Sequence, residues 1–78
     1  MLRKYFIRLE SLDHLIRIKG TGSPRELAKR LNISERSIYE YIGLLKTLGA
    51  PIRYSKFRRT YYYEDAGFLH FRFIKNSN

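Results

Sequence analysis

Residues 32–41, which read NISERSIYEY, place several hydrogen-bonding side chains beside two apolar ones. Ile38 and Ile42 recur four residues apart, as on the buried face of a helix. The side chains around them then form the opposite, polar face, and they are Arg36, Ser37, Tyr39, Glu40 and Tyr41. Arginine and glutamate on such a face can donate and accept hydrogen bonds with planar polar groups. A helix that meets only water favours Lys, Glu and Gln, so we expect this face to contact another molecule.

A second cluster places four cations within seven positions, and they are Arg53, Lys56, Arg58 and Arg59. No acidic residue lies between Glu40 and Glu64 to offset them. Lys and Arg at this density favour contact with phosphate oxygens. The alternative is that they keep the protein soluble or protect a strand edge from aggregation. Tyr54 and Phe57 alternate with these polar residues, which fits packing within a hairpin better than stacking on a sugar.

The net charge of the whole chain also favours an anionic partner. Sixteen Lys and Arg against seven Asp and Glu give +9 over 78 residues, with a sequence pI near 10.2. A pI above about 9 is typical of nucleic-acid-binding domains, although an anionic membrane surface would also attract such a chain. The apolar runs fall far short of the roughly 20 residues of a membrane span. The absence of cysteine fits a reducing cytoplasm, where we expect the protein to act.

Catalytic and metal-binding patterns are missing from the sequence. His14 and His70 have no Cys, His or acidic partners at ligand spacing, and the chain has no cysteine. Gly20 and Gly22 belong to a loop and not to a phosphate-binding fingerprint. No nucleophile stands with an arranged base. We therefore expect neither an enzyme nor a site for a metal or cofactor.

Three helices are predicted to position the polar face. Residues 2–18 carry apolar side chains at spacings of three and four, with Lys19 near the end where a cation complements the helix dipole. The sequence SPRE at 23–26 is a capping box with proline at the first helical position, and it starts a helix over 24–31. Asn32 suits the left-handed turn that follows. Ser34 then caps a helix over 35–48, which Gly49 and Pro51 end.

From residue 52 the apolar period changes to two, which indicates strands over 52–55 and 60–64 around a basic tip. The run GFLHFRFI at 67–74 also alternates and could add a third strand or pair with another chain. Residues 75–78 are expected to be a frayed tail. The chain therefore predicts one domain over 1–78, mainly α with a small antiparallel β-hairpin.

Two helices joined by a turn of about three residues form a helix-turn-helix, whose second helix enters the DNA major groove. The stretch SPRELAKRLNISERSIYEYIGLLKTLGAPIRY, with RTYYY after it, resembles the winged helix-turn-helix of bacterial DeoR-type, biotin-repressor-type and WYL-associated transcriptional regulators. The resemblance covers about residues 5–64. Its larger members carry a sensor domain, which would begin near residue 75 if this sequence is one fragment of a longer regulator.

The resemblance implies a sequence-specific reader of duplex DNA. The helix over 35–48 would lie in the major groove, and the hairpin over 52–64, the wing, would touch the adjacent backbone. The recognition residues carried over are Ser34, Arg36, Ser37, Tyr39, Glu40 and Tyr41, and the wing contacts are Arg53, Lys56, Arg58 and Arg59. Family members often have two basic residues where this chain has Tyr39 and Glu40, which implies a different base preference.

Other functions remain open at the level of sequence. The aromatic run at 68–74 is compatible with a protein-interaction module on the same scaffold, or with a homodimer that reads two half-sites. The tyrosines at 61–63 are compatible with stacking on single-stranded nucleic acid, although such a run is more often strand and core.

Overall fold

The computed structural model describes residues 2–70 and 72–75. These residues form three helices and four strands in the order α1 (Leu2–Arg17), α2 (Pro24–Leu31), α3 (Glu35–Thr47), β1 (Ile52–Ser55), β2 (Thr60–Tyr63), β3 (Gly67–His70) and β4 (Arg72–Lys75). The helices and the first hairpin agree with the sequence-based prediction to within a residue. The mainly helical fold with a two-stranded wing is thereby confirmed.

The turn between α2 and α3 is fixed by local hydrogen bonds. At the start of α2, Ser23 Oγ accepts from the Glu26 N–H at 3.2 Å, and the Ser23 N–H donates to Glu26 Oε1 at 2.8 Å, which completes the predicted capping box. After α2, Asn32 has a φ of 57° and the Ile33 N–H donates to the Ala28 carbonyl at 3.0 Å. The capping box fixes the start of α2, and the left-handed Asn32 with the Ile33 bond reverses the chain within residues 32–34, so that α3 begins at Glu35.

The core lies where the three helices meet the wing. Its buried side chains come from α1, α2, α3, both wing strands and the segment between α3 and β1, and they are Leu12, Ile16, Leu27, Ala28, Ile38, Ile42, Leu45, Ala50, Ile52, Tyr61 and Tyr63. Ile38 and Ile42 are both buried, as the spacing predicted. Burial of these two side chains holds the opposite face of α3 toward solvent.

The wing is antiparallel, with Ile52 opposite Tyr63 and Ser55 opposite Thr60. It is tied to the loop between α1 and α2 by a buried pair of threonines. The Thr21 N–H donates to Thr60 Oγ1 at 3.1 Å, and the Tyr61 N–H donates to Thr21 Oγ1 at 2.8 Å. The wing therefore has a fixed position relative to the helices.

The alternating run at 67–74 does not extend the wing. The prediction of a single strand over this run is wrong. The run forms two strands, β3 and β4, which pair with each other as a second antiparallel hairpin, with Leu69 opposite Phe73. A period of two is the same whether a chain continues or reverses, so the pattern gave no sign of the reversal. Lys75, assigned to the frayed tail, is the last residue of β4. The rest of that tail, 76–78, lies outside the described residues.

A buried carboxylate joins α1 to the wing. Tyr63 Oη donates to Asp13 Oδ1 at 2.6 Å, and Arg17 Nε donates to Asp13 Oδ2 at 3.1 Å. Burial and the bond to Asp13 raise the pKa of the Tyr63 phenol well above its usual value. Because a buried carboxylate is costly without donors, this contact should contribute strongly to stability.

Replacing Tyr63 with Phe should therefore lower the free energy of unfolding by about 1.5–3 kcal/mol, the usual range for a hydrogen bond to a charged group. Urea denaturation followed by circular dichroism measures the change. Tyr62→Phe is the matched control, because it removes the same hydroxyl from a neighbouring, half-buried ring, and successive side chains of a strand point to opposite faces. Equal losses in the two variants would contradict the role assigned to the Asp13 contact.

Candidate nucleic-acid interface

The solvent face of α3 carries the charged residues that the sequence singled out. Arg36 Nε lies 3.7 Å from Glu40 Oε2, and the two side chains are 90% and 67% exposed. An exposed pair at this distance contributes little free energy. Either side chain can therefore leave this pair and bind an external partner at a small cost in free energy.

The first turn of α3 is organised by two serines. Ser34 Oγ accepts from the Ser37 N–H at 3.0 Å and donates to Ser37 Oγ at 3.0 Å. Ser34 is thus the helix cap that the sequence predicted. The remaining N–H groups of this turn and the positive end of the helix dipole point outward, as at anion-binding helix termini.

The two tyrosines of α3 have different environments. Tyr41 is half-buried and packs against the core. Tyr39 is 53% exposed, and its hydroxyl donates to Glu35 Oε2 at 3.2 Å. Of the two rings, Tyr39 is the more accessible to an external partner, and Tyr41 is the one that packs against the core.

Two of the four wing cations have acidic partners after all. Arg53 Nε lies 3.4 Å from Glu64 Oε1, and Arg59 Nη2 lies 3.7 Å from Glu26 Oε1. Both carboxylates lie outside the acid-free stretch between Glu40 and Glu64, and folding brings them to these two arginines.

The other two wing cations, Lys56 and Arg58, have no carboxylate partner within the part of the chain that the structure describes. Both side chains are exposed at the tip of the wing. Their charge is therefore the part of the cluster that is most directly available to an external anion.

The aromatic residues of the wing also divide. The rings of Tyr54 and Tyr61 meet edge-on with centroids 4.9 Å apart, so Tyr54 packs within the hairpin as predicted. Phe57 is 96% exposed, and the packing prediction for it is wrong. Since Tyr61 and Tyr63 are buried, the tyrosine run does not offer the three-ring stacking platform that single-strand binding would need.

One cation with no assigned role in DNA contact lies beside the wing. Lys19 lines a cleft together with Arg58, although the two residues are far apart in the sequence. The sequence pattern carried no signal that these two residues share a cleft, because their proximity arises from the anchoring of the loop between α1 and α2 to β2.

The described residues offer neither a metal-ligand cluster nor a membrane-spanning helix. No group of three or more His, Asp or Glu side chains among the described residues could hold a metal ion. Within the same residues, no helix combines the length and the apolar character needed to cross a membrane.

A protein-family model described as an HTH domain matches residues 7–62, from the first helix to the second wing strand. The chain belongs to the helix-turn-helix domain family. Membership supports DNA binding by a helix-turn-helix regulator, in a family that is typically not enzymatic. A search of curated proteins and one of solved structures each gave no match.

The helix-turn-helix domain should lose stability in alkali through Tyr61. Burial, helped by the nearby Tyr39 and Tyr54, raises the pKa of its phenol from 10 to about 12. The folded state then resists an ionisation that the unfolded chain undergoes near pH 10. The stabilisation is complete below pH 10 and is lost as the pH rises to about 12.

Urea unfolding between pH 10 and 12 tests this expectation. Tyr61→Phe should show a shallower fall of unfolding free energy than the parent, because phenylalanine cannot ionise. Tyr5→Phe, which removes an exposed phenol from α1, is the control and should keep the parent slope. If the unfolding free energy fell equally steeply with pH in all three proteins, ionisation of Tyr61 would not be a cause of the loss of stability in alkali.

Proposed function

We propose that residues 1–78 act as one winged helix-turn-helix domain that binds duplex DNA sequence-specifically, as a small bacterial transcriptional regulator of the DeoR, biotin-repressor or WYL-associated kind. The observation that carries the proposal is the face of α3, the second helix of the helix-turn-helix. Its exposed Arg36 and Glu40 are held only by a weak pair to each other. Such a reader would work where the DNA is, in the cytoplasm.

In this proposal the helix over 35–48 enters the major groove. Arg36 then donates to guanine O6 and N7, and Glu40 accepts from cytosine N4. Separating the two side chains costs little because they are exposed. Tyr39 lies on the same face and adds a hydroxyl and an exposed ring, while Ser37 and the capped turn at Ser34 approach a phosphate.

The wing supplies contacts that do not depend on base sequence. Lys56 and Arg58 meet backbone phosphates directly, whereas Arg53 and Arg59 exchange Glu64 and Glu26 for phosphate. The net charge of +9 steers the domain to the polyanion and provides non-specific affinity. These contacts fix the position in which α3 reads the bases.

A homodimer through residues 68–74 stays a prediction. The described strands β3 and β4 each have one edge that no other described strand covers, and a partner strand could pair there. Sedimentation at several concentrations, with and without residues 68–78, tests it. A monomer at every concentration would contradict the dimer without affecting DNA binding by one copy.

The first experiment is fluorescence anisotropy of a random 30-base-pair duplex across salt concentrations. We expect log affinity to fall linearly with log salt, with a slope of about −0.9 for each phosphate contacted. Replacing Arg58 and Arg59 together with Ala should weaken binding to all sequences alike. It should reduce the slope by about 1 for the Arg58 contact and by less for Arg59, which must leave Glu26 to bind phosphate.

The matched control for the wing variant is Lys4→Ala with Lys29→Ala, which removes the same charge from exposed positions of α1 and α2. An equal effect of the two double variants would mean that the wing has no special role. No binding by the parent at low salt would overturn the proposed function itself.

Base readout is tested by selecting preferred sequences with Arg36 variants. Arg36→Ala should lower affinity and relax preference at one position, at a cost of about 1–3 kcal/mol in discrimination. Arg36→Lys keeps the charge but loses the bidentate geometry. It should therefore keep random-duplex affinity while losing the preference. Unchanged preference in both variants, with the fold intact, would show that α3 does not read bases through Arg36.

A further inference from the structure

The end of α1 holds a lysine in an unfavourable backbone conformation. Lys19 has a φ of 56°, its N–H donates to the Ile16 carbonyl at 3.1 Å, and the Gly20 N–H donates to the Leu15 carbonyl at 2.9 Å. This pair of bonds is the Schellman motif, whose left-handed position is usually glycine. Here the glycine comes one residue later, and a lysine occupies the strained position.

Backbone strain at a non-glycine residue persists where the surrounding structure enforces it, and it is found most often at functional sites. Among the described residues, the other non-glycine positions with positive φ are Asn32 and Arg59. Asn32 belongs to a residue type that tolerates the conformation. Of the two long cationic side chains held in this way, Lys19 lies at the end of α1 and Arg59 lies in the turn of the wing.

The Lys19 side chain lines a cleft between the end of α1 and the wing. The cleft has a volume of about 240 Å³, and its lining residues are Lys19, Ser55, Arg58, Thr60 and Tyr62. This volume is many times what a single water molecule requires. A tetrahedral anion with part of its hydration can therefore be accommodated.

The lining consists of hydrogen-bond donors and lacks carboxylates. Within the described part of the chain, neither Lys19 nor Arg58 pairs with an acidic side chain. Ser55 Oγ accepts from the Arg58 N–H at 3.1 Å, which leaves its own proton to donate. The Tyr62 hydroxyl is another donor. The Thr60 hydroxyl is not available to a ligand, because it donates within the protein to the Tyr61 carbonyl or to Thr21 Oγ1. Two cations and two hydroxyls favour an anion rich in acceptor oxygens.

Both walls of the cleft are fixed before any ligand binds. Thr21 ties the loop after Lys19 to β2 through Thr60. Arg30 Nη1 donates to the Gly20 carbonyl at 2.7 Å and holds the same loop from α2. On the wing side, the Arg59 N–H donates to the Ser55 carbonyl at 2.7 Å and closes the turn that carries Arg58. Fixed walls reduce the ordering cost of binding.

We propose that this cleft is a phosphate-binding site, in which Lys19 and Arg58 bind the same phosphate group from opposite sides. The inference rests on the proposed function in one respect, namely that the phosphate belongs to the duplex backbone. A free phosphorylated molecule presents the same chemistry, and the experiment separates the two sources. The site adds the end of α1 to the surface formed by α3 and the wing.

The test uses Lys19→Gly in the full chain. Glycine is favoured at this backbone position, so the melting temperature should stay at or above that of the parent. Affinity for the random duplex should fall about 3- to 10-fold, and the salt slope should decrease by about 1. Lys29→Ala, which removes one charge outside the cleft, is the control and should weaken binding less. Equal losses in the two variants would overturn the site, since only net charge would then matter.

A double-mutant cycle with Arg58→Ala tests the shared phosphate. If both cations bind one phosphate, the combined variant should lose clearly less affinity than the product of the single losses. Strictly multiplicative losses would overturn the claim of one shared group.

Inorganic phosphate identifies the source. If duplex binds the parent more tightly than it binds Lys19→Gly, and inorganic phosphate shifts no amide signal near Lys19, the duplex backbone is the ligand. If duplex does not bind, but phosphate shifts these signals in the parent and not in Lys19→Gly, the site stands and the proposed function fails. If duplex binds equally to parent and Lys19→Gly and phosphate has no effect, the site fails and the proposed function stands.

Discussion

Thr21 is fully buried, and much of the arrangement of this small domain depends on it. Its backbone N–H and its hydroxyl both bond to β2, so one residue of the loop after α1 joins the helices to the wing. A buried hydroxyl without partners would be costly, but the Thr21 hydroxyl accepts from the Tyr61 N–H and lies within hydrogen-bond distance of the Gly22 carbonyl and of Thr60 Oγ1. The contact joins residues 39 positions apart, and it fixes the distance between the loop and the wing.

The remaining contacts of the wing extend this attachment in two directions. Asp13 and Tyr63 join its base to α1 through a short charge-assisted hydrogen bond. Tyr54 and Tyr61 pack edge-on within the hairpin, and Tyr39 of α3 lies close enough to affect the ionisation of Tyr61. A domain of this size has a modest apolar core. The orientation of the wing relative to the helices therefore depends to a large extent on polar and aromatic contacts of this kind.

The helices were predictable because their signals are local. The capping box at Ser23 and the cap at Ser34 lie within three residues of the groups they bond, and apolar spacing gave the buried face of α3. Asp13 and Thr21 were not predictable as buried, since polar residues are usually at the surface. The pairs of Arg53 with Glu64 and Arg59 with Glu26 were missed for a related reason. Arg59 and Glu26 are brought together only by the tertiary fold. Arg53 and Glu64 meet across the wing hairpin, at a distance that depends on how its two strands are aligned.

The two ion pairs of the wing affect what a salt titration would count. An arginine that leaves its own carboxylate for a phosphate frees one small cation from DNA, but the abandoned carboxylate attracts a cation in return. The net number of ions released is then smaller than the number of contacts formed. For this wing, the number of ions released on binding would therefore reflect the phosphate contacts of Lys56 and Arg58 more fully than those of Arg53 and Arg59.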